Sequence, residues 1–420
     1  MPQRRVVSIV PSRPPVSKRR LLKPLHVLAV FALCLLIAHH LPLSIPHSHQ
    51  PALLTVTHGG IGNQIYFLLQ ALILARQTGL VLVPPTIPAR RLPRFPHRSE
   101  EHPAQNFWDL GVMARFAPLS EQLPSSCRRG ITHVYLVRRG AGKLLPSSRL
   151  LQIVCQMAGD KQPSETVGQC ADRAMSRISV HRHHMKFSTA GDPALVHELR
   201  QLRDACVIVD GHSFSFSGHR AHQYVYSVLH YVEAAPIVKE MMRNSWASRM
   251  TLLHLRYDEH ECDTEHGGVC IRRKLNIGSN DTVVYVTPSA LVGAVVRKMR
   301  SANSTSLYIA ASPYVPPQTM ASLENEFQAH IRVLPRVGGL DEAMENFVER
   351  ELAINAHVFV GDFASTWSGT VYFKRRTMGK VSDWSCVLVD QCQDLGYYED
   401  KERLNAPEWF EKEENLLQSE

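Results

Sequence analysis

Hydrophobic positions just after residue 50 predict a strand, a turn, a helix and a second strand in succession. Residues 52–57 form an apolar, β-rich run that ends at a glycine turn. The helix is indicated by apolar residues at the spacing of one face: Ile65, Leu68, Leu69, Leu72 and Ala75. A second strand at 80–83 ends at two prolines. This order is typical of the start of a parallel sheet covered by helices.

The second half of the chain alternates between strand and helix patterns in the same way. Strands are predicted at 250–255, 282–286, 306–311, 331–334 and 357–360, and helices at 234–249, 289–300, 318–327, 341–355 and 368–375. Residues 86–205 show no clear pattern of strands or helices, and one strand is predicted at the end of this region, at 205–209. We therefore expect two α/β halves that meet near residue 235. They would face each other across a cleft at the carboxyl ends of their strands, where such folds bind ligands.

Residues 25–45 form an apolar run close to the ~20 residues that span a bilayer. The preceding residues 1–24 carry seven Lys and Arg and no acid. By the positive-inside rule this keeps the N-terminus cytoplasmic and places the rest of the chain in the lumen of the endoplasmic reticulum or Golgi. We interpret the run as the signal-anchor of a single-pass type II membrane protein. A cleaved signal peptide and a buried core helix are the alternatives.

The net charge excludes one class of partner. The formal net charge is +9, and residues 1–24 contribute +7 of it. The rest of the chain therefore has a net charge of about +2. So small an excess makes no footprint for a phosphate backbone. Nucleic acid is therefore not expected as a partner.

The cysteine count agrees with a lumenal body. Cys34 lies in the apolar run, and the other eight cysteines could form four bridges in an oxidising compartment; their spacing fits no zinc site. We predict Cys262–Cys270 and Cys386–Cys392 as local pairs, with free buried thiols as the alternative. Asn280-Asp-Thr and Asn303-Ser-Thr are N-glycosylation sequons, which matter if the body is lumenal.

The first candidate for chemistry is the glycine turn. Gly59, Gly60 and Gly62 let backbone amides approach an anion at a helix N-terminus, and Asn63 and Gln64 add two side-chain amides. The spacing matches neither a dinucleotide fingerprint nor a P-loop. A phosphate or sugar-phosphate site and a tight structural turn both stay open.

Two further strand ends could bind an anion. His254 and Arg256 alternate on one face at a strand end, where the guanidinium binds phosphate or pairs with an acid such as Asp258 or Glu259. Ser365 and Thr366 follow another strand, and hydroxyls before a helix either cap it or help to bind an anion. Together with the glycine turn, they favour a diphosphate ligand.

The histidines between residues 181 and 184 raise the question of a metal. No paired carboxylate or cysteine spacing accompanies them. We predict that no metal binds there and that they lie on a solvated loop.

Taken in chain order, these segments resemble those of the GDP-fucose protein O-fucosyltransferase family. Gly60-Ile-Gly62-Asn63-Gln64 resembles the family's G-x-x-G-N-Q opening, and Leu82-Val-Pro-Pro85 resembles its following strand. His254-Leu255-Arg256 resembles its H-L-R motif. The nucleotide-binding half is matched in order by Leu307-Tyr-Ile-Ala310, Tyr314-Val-Pro, Phe359-Val-Gly361 and Ser365-Thr366. The resemblance spans most of the body but not residues 86–235.

The resemblance implies a GT-B architecture, in which two Rossmann-like domains enclose GDP-fucose and transfer its sugar with inversion. It implies that Arg256 contacts the donor phosphates and stabilises departing GDP, and that Ser365 and Thr366 bind the same diphosphate. Asn63 would lie near the fucose and the acceptor oxygen, and His254 would support the nucleotide site. Gly60 and Gly62 would form part of the donor-binding turn. No metal and no other cofactor is implied.

Two positions depart from the family pattern. Ser312 stands where the family usually carries an acid, and Asp362 stands where it commonly carries asparagine. A carboxylate beside a diphosphate is unfavourable unless it points away or is neutralised. By sequence, the nearest candidates for a catalytic base are His58, Asp258 and Glu259.

We therefore predict a fucosyltransferase whose acceptor is a Ser or Thr hydroxyl of a secretory-pathway protein. The alternatives are a fucosyltransferase that acts on glycans and a catalytically inactive sugar- or nucleotide-binding scaffold. The predicted layout is a basic tail at 1–24, an anchor at 25–45, a stalk at 46–52, an acceptor-side domain at 53–235, a GDP-fucose-binding domain at 236–395 and a charged tail at 396–420.

Overall fold

The computed structural model describes residues 50–57, 60–88, 101–139, 145–159, 165–185, 193–210, 225–256, 262, 268–274, 282–312, 314–337, 340–363, 365–380 and 382–393. The predicted anchor and both predicted tails lie outside these ranges, as do His58, Gly59, Asp258 and Glu259. Within the described ranges, no helix combines the length and the apolar character needed to cross a bilayer.

The first half of the chain forms a parallel sheet. Up to residue 210, the described strands are β1 Ala52–Thr55, β2 Val81–Val83, β3 Ile87–Pro88, β4 Glu101–His102, β5 His133–Arg139, β6 Ser179–Met185 and β7 Cys206–Asp210. Five of them pair in the order β2-β1-β7-β5-β6, all parallel, while β3 and β4 form a separate antiparallel pair. The predicted solvated loop at 181–184 is therefore wrong, since these residues belong to β6.

Helices alternate with these strands. The described helices are α1 Ile61–Thr78, α2 Leu110–Met113, α3 Ser125–Arg128, α4 Ser148–Ala158, α5 Val167–Met175 and α6 Pro193–Gln201, with 3₁₀ turns at Ala104–Asn106 and Val228–Tyr231. All five apolar positions that predicted α1 are buried. The helix ends at Gly79, whose left-handed φ of 73° lets its N–H donate to the Ala75 carbonyl. The predicted order of strand, turn, helix and strand is confirmed.

The second half repeats this architecture. Its described elements are α7 Pro236–Ser245, β8 Met250–Leu255, β9 Val269–Arg272, β10 Val283–Val286, α8 Pro288–Ser301, β11 Ser306–Ala311, α9 Pro317–Gln328, β12 Arg332–Val333, α10 Glu342–Asn355, β13 Val358–Gly361, α11 Thr366–Thr377, β14 Ser382–Trp384 and α12 Ser385–Leu388. The parallel sheet has the order β12-β11-β8-β13-β14. The prediction lacks β9 and β14, and β10 pairs with β9 in a separate antiparallel hairpin instead of joining the sheet.

All eight cysteines of the body are bonded in four disulfides: Cys127–Cys206, Cys155–Cys170, Cys262–Cys270 and Cys386–Cys392. The two predicted local pairs are confirmed, and the alternative of free thiols is wrong. Cys127–Cys206 joins residues 79 positions apart and ties α3 to β7.

Aromatic side chains pack the two sheet-bearing halves together. Phe107 stacks on Phe347 of α10 with ring centroids 4.3 Å apart, and Tyr226 stacks on Phe373 of α11 at the same distance. Lys374 donates from Nζ to two backbone carbonyls at the end of the second 3₁₀ turn. The described residues form one compact unit, and the domain boundary near residue 235 stays a prediction.

Candidate active site

The topology brings the predicted motifs to the places where parallel sheets bind ligands. In each sheet the chain order reverses beside the first strand, β1 in one and β8 in the other. Ligands of such sheets bind at the carboxyl ends of the strands at this reversal. The glycine turn follows β1, while His254 is the next-to-last residue of β8 and the Ser365 segment follows its neighbour β13.

The glycine turn and the hydroxyl pair are in direct contact. Gly62 is the second residue of α1, and Thr366 and Trp367 are the first two residues of α11. A Cβ atom on Gly62 would overlap the Trp367 backbone nitrogen and lie 2.8 Å from both the carbonyl carbon and Oγ1 of Thr366. Two helix N-termini from the two halves therefore meet at one point, and only glycine fits between them. Such N-termini carry partial positive charge and attract anions.

His254 lies beside this contact and is held there by α11. Its Nδ1 is 2.7 Å from Ser368 Oγ, and its ring lies 4.4 Å from the Trp367 ring. The Asp362 N–H donates to Ser368 Oγ at 3.0 Å, so the Ser368 hydroxyl proton is available to Nδ1. Burial, followed by the positive charges of Arg256 and Arg272, lowers the pKa of His254 to about 3. The ring is therefore neutral at physiological pH, and its Nδ1 shares a hydrogen bond with the Ser368 hydroxyl.

Two guanidinium groups act on His254. Arg256 is half-buried directly after β8, and Arg272 is 1% exposed at the end of β9. Both lower the pKa of the histidine through their charge. The alternative that Arg256 pairs with Asp258 or Glu259 stays open, because those acids lie outside the described residues. With the two helix N-termini, these charges make the strand ends suited to an anion.

The remaining predicted site residues lie around the same contact. Ser365 is the N-cap of α11, and its side chain accepts a hydrogen bond from the Ser368 N–H at 3.4 Å. Thr366 is half-buried against Gly62, and Gly60 precedes α1 as its N-cap. Asn63 is exposed on the first turn of α1. The helix-cap interpretation of Ser365 is thus confirmed, while a role of these residues in binding a diphosphate stays a prediction.

The two departures from the family pattern lie directly after β11 and β13. The Ser312 N–H donates to the Leu255 carbonyl at 2.8 Å, and Ser312 Oγ accepts from the Tyr314 N–H at 3.4 Å. Asp362 is 2% exposed at the end of β13. Ser312 thus links the end of β11 to the end of β8, the strand that carries His254.

Sequence reasoning missed three residues near this site: Ser368, Trp367 and Arg272. Ser368 lies three residues after the N-cap Ser365, which places it on the first turn of α11 facing the cap. Trp367 stands between Thr366 and Ser368, and an aromatic residue at this position could have been predicted to pack against His254. Arg272 carried no signal, because it lies in a hairpin outside the two five-stranded sheets.

The histidine-rich stretch on β6 lies apart from these strand ends and faces α6. His181 Nδ1 is 2.9 Å from Glu198 Oε1, and His183 Nε2 is 3.1 Å from Glu198 Oε2. His133 on β5 reaches His181 at 3.2 Å. In the part of the chain that the structure describes, no group of three or more His, Cys, Asp or Glu residues could hold a metal ion.

Comparison with known proteins gives a match in structure only. No protein-family model matches the chain, and no curated protein matches it. The crystal structure of POFUT1 in complex with GDP-fucose aligns with a TM-score of 0.51 and 15% identity over 80% of this chain and 98% of that one. The POFUT1 apo form aligns with a TM-score of 0.50 and 14% identity over 80% and 97%.

At this identity the match concerns the fold. This chain has the mixed α/β fold with parallel sheets of POFUT1, a GDP-fucose protein O-fucosyltransferase. The resemblance found in its loops thus agrees with the structural neighbours of the whole body.

Proposed function

We propose that this protein is an inverting fucosyltransferase that moves fucose from GDP-fucose to a Ser or Thr hydroxyl of a protein in the secretory pathway. The proposal is supported by the fold that it shares with POFUT1, which has been crystallised with GDP-fucose and with GDP. In this proposal the two sheets belong to the two lobes of a GT-B architecture, with the donor held mainly by the second.

One observation carries the proposal: Gly62 and Thr366, 304 positions apart in the chain, are in contact at the N-termini of two helices. In the proposed complex, a diphosphate lies beside this contact and is bound by backbone N–H groups, by the hydroxyls of Ser365 and Thr366, and by the guanidinium of Arg256. Helix N-termini are ready-made anion sites, and a guanidinium forms charge-assisted hydrogen bonds with phosphate oxygens. The neutral ring of His254 adds no charge to this set.

In the proposed reaction, the bond between fucose C1 and the terminal phosphate oxygen of GDP breaks, and its electron pair leaves with GDP. The acceptor oxygen bonds to C1 from the opposite face, which inverts the configuration, and its proton passes to a base. Because negative charge grows on the diphosphate, donors already aimed at it lower the barrier. Arg256 is the principal donor, and Asn63 holds the sugar and the acceptor oxygen.

The base is proposed to be one of His58, Asp258 and Glu259. His254 is unsuited to this role, since its pKa of about 3 makes it a weak proton acceptor. A carbon with strong positive character requires little activation of its nucleophile, so a modest base is sufficient.

We propose that transfer needs no metal or other cofactor, as the family resemblance implies and as the lack of an Asp-x-Asp sequence suggests. The corresponding measurement is the transfer rate of the full chain with and without a chelator. An equal rate supports the proposal, and a loss that added Mn²⁺ or Mg²⁺ reverses contradicts it.

We further propose that residues 25–45 anchor the protein in the membrane with its body in the lumen of the endoplasmic reticulum or Golgi. The four disulfides support this, because such bonds persist in oxidising compartments. Protease added to intact microsomes should leave the body uncut. Cleavage of the body before detergent is added would contradict the lumenal placement.

The test of function uses the full chain purified in detergent. Thermal unfolding is measured with a set of nucleotide sugars, and fucose transfer is then measured with folded cysteine-rich protein modules and with free oligosaccharides. We expect GDP and GDP-fucose to raise the melting temperature, UDP-sugars to leave it unchanged, and the protein modules to be labelled. Labelling of oligosaccharides alone would favour the glycan-directed alternative. A well-folded sample that binds no GDP would favour the inactive scaffold.

A further inference from the structure

Helix α8 ends in a Schellman turn whose left-handed residue is Asn303. This residue has a φ of 55°, its N–H donates to the Arg300 carbonyl, and the next N–H, of Ser304, donates to the Met299 carbonyl at 2.8 Å. Glycine is the usual residue at this position, and asparagine is the side-chain-bearing residue that tolerates it best. The side chain is exposed.

Asn303 also begins the sequon Asn-Ser-Thr. The two hydroxyl residues tie the turn to the segment before β8: Ser304 Oγ donates to the Arg249 carbonyl, and Thr305 Oγ1 donates to the Ser248 carbonyl at 3.3 Å. Asn303 and Thr305 are both exposed. A glycan on Asn303 therefore displaces no buried group of the folded protein.

The disulfides supply a second, independent observation. The four disulfides join all eight cysteines of the body, from Cys127 to Cys392. Such a set marks a protein that folds in an oxidising compartment, and sequons on surface turns are glycosylated in secreted proteins.

We infer that Asn303 is an N-glycan acceptor. The turn precedes β11, whose six residues run to the carboxyl ends of the strands, where His254 and Ser312 lie. At ~3.3 Å per residue, the glycan lies about 20 Å from the candidate active site, at the amino ends of the strands. It therefore leaves the strand ends open to a donor and an acceptor.

The test expresses the full chain in cultured mammalian cells and releases N-glycans with peptide N-glycosidase in ¹⁸O water. Mass spectrometry of the peptide that contains Asn303 should show conversion to ¹⁸O-labelled aspartate. Asn303→Gly should lose this label, and on a denaturing gel it should migrate at an apparent mass lower by that of one glycan. Glycine is chosen because glutamine is strained at a φ of 55°, so Asn303→Gln would confound glycan loss with a folding defect.

The matched pair Thr305→Ser and Thr305→Val tests the third position of the sequon. Serine keeps both the hydroxyl and the sequon, so the label should persist; valine removes both, so the label should vanish. An unlabelled Asn303 in disulfide-bonded wild-type protein overturns the inference. A glycan on Asn280 but not on Asn303 overturns it too, while leaving the lumenal placement intact. Fucose transfer by the same preparation is a separate readout that tests the proposed function alone.

Discussion

At the scale of single residues, the candidate site rests on how His254 is held. The Ser368 hydroxyl accepts from the Asp362 N–H and is hydrogen-bonded to His254 Nδ1, which orients the ring. The tilted contact with Trp367 covers it. A charged imidazole would be costly here because it would be buried beside Arg256 and Arg272. The neutral histidine thus packs against the first turn of α11 and is close enough to Arg256 and Arg272 to feel their charge.

Removal of the Arg256 guanidinium should abolish most activity without unfolding the protein. For Arg256→Ala we expect kcat/KM for fucose transfer to fall by a factor of ~10² or more, since a charge-stabilising donor is lost. The melting temperature should change little, because the residue is half-buried after the strand ends. Arg256→Lys is the control, and it should recover only part of the rate since it lacks the planar pair of donors. A wild-type rate in Arg256→Ala would exclude the assigned role.

His254 should make stability depend on pH. Its folded pKa of about 3 lies below the ordinary 6.5, so between these values the unfolded chain binds more protons than the folded protein. The free energy of unfolding should therefore fall as pH is lowered from 6.5 towards 3, by up to ~1.4 kcal/mol per pH unit.

The measurement is urea unfolding of wild type and of His254→Asn at pH 7, 6, 5 and 4. Asparagine places an acceptor near the position of Nδ1 but does not titrate, so the difference between the two proteins isolates the histidine. We expect the variant to show the shallower pH dependence. Parallel curves for the two proteins would contradict a strongly lowered pKa.

At the scale of elements, the site depends on α1 and α11 starting at the same place. Each helix contributes about half a positive charge at its N-terminus, and the charge is usable only within the first turn. Their contact at Gly62 brings both first turns together. The hydroxyl cap of Ser365 fixes where α11 begins.

A methyl group at Gly62 should separate the two helix ends. In Gly62→Ala, the new Cβ meets backbone atoms of Thr366 and Trp367, which no side-chain rotation can relieve. We expect a loss of ~1–3 kcal/mol in the free energy of unfolding, together with weaker binding of GDP by calorimetry.

Gly293→Ala in α8 is the matched control, because the nearest neighbour of its new Cβ is Arg297 Nη1 at an ordinary 3.5 Å. This substitution should be neutral or should stabilise by up to ~1 kcal/mol. If Gly62→Ala binds GDP with wild-type affinity, the contact is not needed for the nucleotide.

At the scale of the whole molecule, the two halves are joined by an aromatic interface. Phe347 of α10 contacts both Phe107 and Trp108, and it is 1% exposed. His102 and Asp341 add a contact of 2.7 Å between the same two parts of the chain. This interface joins residues 102–108 of the first half to α10 and its N-cap in the second.

Loss of the Phe347 ring should loosen the two halves together. Phe347→Ala should lower the free energy of unfolding by about 3–5 kcal/mol and speed amide hydrogen exchange both in α10 and in residues 104–113. Phe327→Ala is the control, since Phe327 is equally buried at the end of α9, within the second half. It should cost a similar amount while leaving exchange in residues 104–113 unchanged. Faster exchange there in both variants would contradict a specific interface at Phe347.

Much of the second half was predictable because its strands are short apolar runs between amphipathic helices. β8 and β11 fall on the predicted residues, and α10 differs only at its N-cap Asp341. The first half was harder to predict, since β5 and β6 carry histidine and arginine side chains that hide the apolar pattern. Pairing partners could not be predicted for β10, because four residues carry no information about which strand they join.

The sequence by itself determined the α/β class, the glycine turn before α1, the strand ends that carry His254 and Ser365, and the local disulfides. These depend on interactions between residues close in the chain, which leave a readable pattern. Only the tertiary structure decided that Gly62 touches Thr366, that Ser368 orients His254, and that Arg272 acts on the same ring. Such contacts join segments separated by up to hundreds of residues, and their energy depends on packing distances that no local pattern encodes.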